Sequence, residues 1–89
     1  MKNILVVCGN GLGTSLMMEM AVKEVLKKMG VEANVNHEDL SSAMSSQADI
    51  WVAAKDVAKQ LDEAGKQNIV SLTNIFDKED IQKQLANFI

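Results

Sequence analysis

Apolar and polar positions along this chain switch period several times, and each switch marks an element. Ile4-Leu5-Val6-Val7 is a continuous apolar run after Lys2-Asn3, the pattern of a strand covered on both faces, and predicts a first strand over residues 2–7. The period then lengthens. From about Thr14 to Met29 a helix is predicted, with Met18, Ala21, Val22, Val25 and Met29 on one face. Lys27 and Lys28 occupy its last turn and Gly30 supplies a left-handed residue beyond it. Residues 31–36 alternate, with Val31, Ala33 and Val35 on one side, and predict a second strand ending near Asn36. Residues 37–49 are polar and serine-rich, with one short helix around Leu40–Met44. Residues 50–54 (IWVAA) read as a third strand, Asp56 as the cap of a short helix to about Ala64, and Gly65 as its stop. Residues 68–72 (NIVSL) form a fourth strand. Asp77 then caps a last helix in which Ile81, Leu85, Phe88 and Ile89 share a face. Met44 and Trp51 read as core, and the acidic Asp77–Asp80 run as a solvated helix start.

The resulting order, β-α-β-(α)-β-α-β-α with short connections and no hairpin signals, predicts an α/β fold: a small, open, mainly parallel four-stranded sheet with helices on both faces. Residues 1–89 are expected to form one domain. In such sheets the functional crevice lies at the carboxyl ends of the strands, near the point where strand order reverses.

Composition narrows the function. A net charge of −3 argues against a general nucleic-acid binder, which needs a basic face. All nine basic residues are lysines, so no guanidinium fork is available to clamp a phosphate. No apolar run approaches the roughly 20 residues needed to cross a bilayer, and the N-terminus lacks a signal-peptide pattern. With a single cysteine no internal disulfide can form, which fits a reducing cytoplasm.

That cysteine, Cys8, closes the first strand and opens the glycine-rich stretch Gly9-Asn10-Gly11-Leu12-Gly13-Thr14-Ser15. A thiol at a strand-to-helix corner sits where backbone N–H groups converge and the helix dipole favours an anion. The stretch is not a Walker A loop, because no lysine follows a glycine at the required offset. Nor is it a dinucleotide fingerprint: Thr14 and Leu16 stand where a third glycine is needed, and no acid closes a second strand ending near Asn36. The tyrosine-phosphatase signature, a cysteine, five residues, then arginine and Ser or Thr, matches in frame, but Thr14 replaces the arginine. Without that clamp hydrolytic turnover suffers, whereas transfer from an activated donor does not depend on it.

The stretch Val7-Cys8-Gly9-Asn10-Gly11-Leu12-Gly13-Thr14-Ser15 resembles that of the IIB components of the bacterial phosphoenolpyruvate-dependent sugar phosphotransferase system, within the lactose/ascorbate/galactitol group and nearest the ascorbate type. Ala48-Asp49-Ile50 and Asn74 extend the resemblance along the chain. It implies a Rossmann-like fold similar to that of low-molecular-weight tyrosine phosphatases. It also implies a phosphotransferase in which Cys8 takes a phosphoryl group from a phosphohistidine of the IIA protein. Cys8 then passes it to a sugar or sugar acid presented by the membrane IIC permease. The implied setting is cytoplasmic, peripheral to the inner face of the membrane through IIC, with no cofactor, no nucleic acid and no direct membrane insertion.

Within that reading the amides of Gly9 to Ser15 form a phosphate-binding loop, to which Thr14 and Ser15 add hydroxyls or cap the helix. Leu16, Met17 and Met20 lie off the helix's core face and, with Leu12, form an adaptable apolar patch for docking partners. His37, the sole histidine, has no companion ligand for a metal and is expected to be exposed or hydrogen-bonded. The alternatives are a stand-alone low-molecular-weight phosphatase or arsenate reductase, and a regulatory IIB-like module.

Overall fold

The computed structural model of the chain describes residues 2–9 and 12–89, and for residues 12–15 the backbone alone. The elements run β1 (Lys2–Cys8), α1 (Leu12–Met29), β2 (Ala33–Asp39), α2 (Leu40–Met44), β3 (Ile50–Ala54), α3 (Lys55–Glu63), β4 (Ile69–Leu72) and α4 (Lys78–Leu85). The strands pair in the order β2-β1-β3-β4, every pair parallel, as the alternation of elements predicts.

Strand period two divides the core into two layers. Ile4, Val6, Ile50, Val52, Val70 and Leu72 face Met18, Val22 and Val25 of α1 and Ile81 and Leu85 of α4. Leu5, Val7, Trp51 and Ala53 face the other way, onto Ala43 of α2 and Val57, Ala58 and Leu61 of α3. Because both faces are covered, β1 and β3 carry the unbroken apolar runs seen in the sequence. Helices α1 and α3 stop in the same way. Gly30 (φ 74°) and Gly65 (φ 87°) take left-handed backbone, and the residue after each donates to the carbonyl five residues back, Val31 to Leu26 and Lys66 to Leu61.

Several boundaries differ from expectation. Strand β2 begins at Ala33 and runs to Asp39, past the predicted end near Asn36, so an acid does close the second strand. Its last residues pair with β1 through the backbone, and at a sheet edge that pairing needs no apolar pattern. Helix α1 begins at Leu12 and not near Thr14. The cap of α3 is Ala54, with no side-chain bond, and Asp56 lies inside the first turn, where its charge suits the dipole. Met44 is exposed because α2 is one short turn that turns only Ala43 inward. Helix α4 ends at Leu85. Ile81 and Leu85 are buried and Phe88 is half-buried against them, but Ile89 lies beyond the helix and is exposed. Asp77 does cap α4, accepting from the Asp80 amide at 3.2 Å.

Candidate functional site

The order of strands reverses across β1: the chain crosses to β2 on one side and then to β3 on the other. The crevice this reversal creates opens at the carboxyl ends of β1 and β3. Cys8 is the last residue of β1 and is half-buried there. Alternation places it on the same side of the sheet as Ile4 and Val6, the side covered by α1.

The chain then turns into α1, whose first residue is Leu12. Asn10 and Gly11, both assigned to the phosphate-binding loop, lie outside the described residues, as do the side chains of Leu12, Thr14 and Ser15. The backbone of Leu12, Gly13, Thr14 and Ser15 forms the opening turn of α1, so Thr14 and Ser15 lie inside the helix and not at its N-cap position. The first four N–H groups of a helix have no acceptor inside it, and they carry the positive end of its dipole. Gly9 is exposed, yet it sits tightly against the far layer: a Cβ there would stand 3.1 Å from Val57 Cγ2 of α3. Gly9 is thereby bounded on that side by the first turn of α3.

Across β2, the Cα partner of Cys8 is Asp39. Its carboxylate caps α2, accepting from the Ser42 amide at 3.2 Å and from Ser41 Oγ at 2.8 Å. The Ser42 and Ser41 bonds hold this exposed carboxyl below the usual aspartate range. The strand end expected near Asn36 stops short of Asp39 and so leaves its place opposite Cys8 unread. The signal was the spacing of Asp39 and Ser42 ahead of a short helix.

Leu16, Met17 and Met20 are 47%, 50% and 56% exposed, on the first half of α1 away from its packed face. Phe76, 58% exposed, stands in the turn between β4 and α4 and was not singled out in the sequence. Asn74 builds that turn by accepting from the Phe76 amide at 3.0 Å through Oδ1 and from the Asp77 amide at 3.1 Å through its carbonyl. His37 is hydrogen-bonded through Nδ1 to Glu19 of α1 and belongs to the scaffold. Among the described residues no cluster of His, Cys, Asp and Glu could hold a metal ion, and no helix is long and apolar enough to cross a membrane. An open groove of about 760 Å³ runs between α3 and β4, lined by Lys55, Lys59, Ser71 and Thr73 among others and apart from Cys8.

Comparison with known proteins places this geometry. A family profile described as "PTS system, Lactose/Cellobiose specific IIB subunit" matches residues 3–87. The chain is similar to the ascorbate-specific PTS system EIIB component of Mycoplasma pneumoniae, 27% identical over 89 residues that cover 98% of this chain and 94% of that protein. The EIIB component of the same description from Salmonella choleraesuis is 32% identical over 88 residues, covering 97% of this chain and 87% of that protein. Among solved structures, the lactose-specific IIB domain of Streptococcus pneumoniae matches with a TM-score of 0.68 at 18% identity, over 97% of this chain and 92% of that one. A low-molecular-weight protein tyrosine phosphatase from Bacillus subtilis matches with a TM-score of 0.59 at 16% identity, over 96% and 95%. At these identities the two structures establish the shared α/β fold.

Proposed function

Because the chain belongs to the lactose/cellobiose-specific IIB family of the phosphotransferase system, we propose that it is a cytoplasmic phosphocarrier working through a phosphocysteine at Cys8. The observation that carries this reading is the position of Cys8, last residue of an internal strand and four residues before the start of α1. There a thiolate and a phosphoryl group both meet unpaired amides at the positive end of a helix dipole.

In the first step Cys8 Sγ attacks the phosphorus of a phosphohistidine on the IIA protein. An S–P bond forms as the N–P bond breaks, the electron pair goes to nitrogen, and the imidazole, protonated on its other ring nitrogen, leaves neutral. In the second, a hydroxyl oxygen of the acceptor attacks the phosphocysteine. An O–P bond forms, the S–P electron pair returns to sulfur, and the hydroxyl proton passes to water. Gly9, Asn10, Gly11, Leu12, Gly13, Thr14 and Ser15 supply the phosphate loop, through backbone amides and the Thr14 and Ser15 hydroxyls. The acceptor is a sugar acid of the ascorbate type, in keeping with the relatives' names, presented by a membrane IIC permease.

Leu12, Leu16, Met17 and Met20 dock the phosphorylated IIA protein first and IIC afterwards. Unbranched methionines suit one surface to two partners. Residues 1–89 act as a single IIB domain, held at the inner face of the membrane only through IIC. A tyrosine-phosphatase activity on the same fold is disfavoured because no arginine exists anywhere in the chain.

The test is intact mass after incubation with phosphoenolpyruvate, the general relay proteins and an ascorbate-type IIA, for wild type and Cys8→Ser. A parallel sample receives a chromogenic aryl phosphate alone. One phosphoryl group gained only with Cys8 and IIA, without aryl phosphate turnover, supports the carrier. Rapid Cys8-dependent hydrolysis without relay labelling would establish a phosphatase instead.

A further inference from the structure

The turn that leads from β1 into α1 starts at Gly9, and backbone conformation does not require glycine there. Gly30 and Gly65 take left-handed backbone, whereas φ at Gly9 lies outside that region. What glycine provides is space. A Cβ at this position would stand 3.1 Å from Val57 Cγ2, the one atom among the described residues, its chain neighbours aside, that it would meet within 4 Å. We propose that Val57 is a positioning residue for phosphoryl transfer: its Cγ2 methyl is the stop against which Gly9 rests, and it fixes where the chain leaves Cys8. This rests on the phosphocarrier reading of Cys8.

Three observations carry the inference. First, the stop is built on the sheet. Ala53 of β3 is the Cα partner of Val7, and α3 follows β3 with no intervening loop, Ala54 serving as its cap. Gly9 lies just beyond Val7 and Val57 just beyond Ala53, so one strand pair places both. Second, Val57 is itself held. It is 5% exposed, in the layer that contains Leu5, Val7, Trp51, Ala53 and Leu61. A β-branched side chain in a helix also keeps essentially one rotamer. Third, Val57 stands on the α3 side of the sheet, whereas the exposed Leu16, Met17 and Met20 belong to α1 on the other side. Its effect on Cys8 therefore runs through the backbone of Gly9, one peptide unit away, about 3.8 Å between Cα atoms.

The consequence follows from how transfer depends on placement. Sγ must approach phosphorus in line while the amides beyond Gly9 take up charge on the phosphoryl oxygens. A shift of a few tenths of an ångström at Gly9 moves those amides relative to Sγ. A misplacement of about 1 Å can cost about a hundredfold in rate, so a smaller one should cost about tenfold. Because Val57 lies away from the surface assigned to IIA, the loss falls on transfer and not on binding. Packing of α3 alone accounts for an apolar residue at 57, but not for a selective effect on transfer.

Single-turnover labelling by phosphorylated IIA, over a range of IIA concentrations, separates the two. Circular dichroism first checks that each variant is folded. Gly9→Ala crowds the contact from an exposed position, without opening the core, and Val57→Ala empties it. Each should lower the labelling rate at saturating IIA about tenfold, with the half-saturating concentration unchanged within about twofold. The double variant exchanges one methyl for another across the contact and should recover to within about threefold of wild type. Leu61→Val trims the same helix in the same layer, away from Gly9, and should label at the wild-type rate. Wild-type rates in Gly9→Ala and Val57→Ala, a double variant no faster than the slower single one, or an equal loss in Leu61→Val would overturn the role of Val57. The carrier reading would then stand. No labelling of wild-type Cys8 by phosphorylated IIA would overturn the carrier reading itself, and this inference with it.

Discussion

His37 Nδ1 lies 2.9 Å from Glu19 Oε1, a contact that ties edge strand β2 to the middle of α1. An ionised carboxylate only accepts, so Nδ1 carries the proton. Glu19 is the one buried charged residue among those described, its side chain 12% exposed, and Lys23 adds a second partner at 3.4 Å. Burial pushes the Glu19 carboxyl up, but the His37 hydrogen bond and the charges of Lys23 and His37 more than offset this and leave it below the ordinary 4.5.

The sign of the pH dependence follows. Since the native carboxyl titrates lower than the unfolded one, its contribution is fully present above 4.5 and is lost as pH falls through the lower native value. Glu19→Gln should destabilise the protein by about 1–3 kcal/mol at pH 7, and the gap from wild type should narrow below pH 4. Urea unfolding at the two pH values checks both statements.

A methyl group at position 9 should strain the loop through Val57. Gly9→Ala brings a Cβ to 3.1 Å from Val57 Cγ2, close enough that the valine must shift. The expected cost is about 1 kcal/mol, with slower phosphorylation of Cys8. The same change in a Val57→Ala background should cost measurably less. A double-mutant cycle in stability and in labelling rate reads that coupling.

The open edge of β4 is covered by a side chain. Gln84 of α4 donates through Nε2 to the Ser71 carbonyl at 2.9 Å and accepts at Oε1 from the Ser71 amide at 3.2 Å, standing where another strand would pair. Gln84→Ala should speed exchange of the Ser71 amide by about fivefold, since one protecting bond worth about 1 kcal/mol is lost. Hydrogen exchange by NMR measures this.

Much of the architecture was legible because burial on both faces writes itself into composition. Ile50–Ala54 is an unbroken apolar run, and Met18, Val22 and Val25 recur at helical spacing; the structure buries all of them but Ala54. Leu40–Met44 also stands as read, yet Met44 points outward, because five residues give too little periodicity to assign a face. The tail of β2 was hidden for the opposite reason. Asn36, Glu38 and Asp39 pair by backbone on an edge strand whose outer positions meet solvent, so no apolar pattern marks them. Of the candidate site, the place of Cys8 at the end of β1 was legible from the apolar run that it closes. That Asp39 stands opposite it was not, because the sequence does not display cross-strand register.

The exposed methionines yield a binding prediction. Met17→Glu with Met20→Glu replaces two half-exposed side chains on α1 without touching its buried face. The fold should be unchanged by circular dichroism and thermal melting. Affinity for phosphorylated IIA should fall tenfold or more, as expected when central apolar contacts are replaced by charge. Phe76→Ala, on the neighbouring rim, should fall in the same direction if the surface extends across the β4–α4 turn.

The central claim is that the phosphoryl group rests on Cys8 between two partners. Purified IIA carrying a radiolabelled phosphohistidine should be mixed with a stoichiometric amount of this protein, followed by IIC-containing membranes and ascorbate, and the label traced through time. Label should leave IIA, appear on Cys8 in wild type but not in Cys8→Ser, and then move to the sugar acid. Label passing to inorganic phosphate, or reaching the sugar acid equally well in Cys8→Ser, would contradict it.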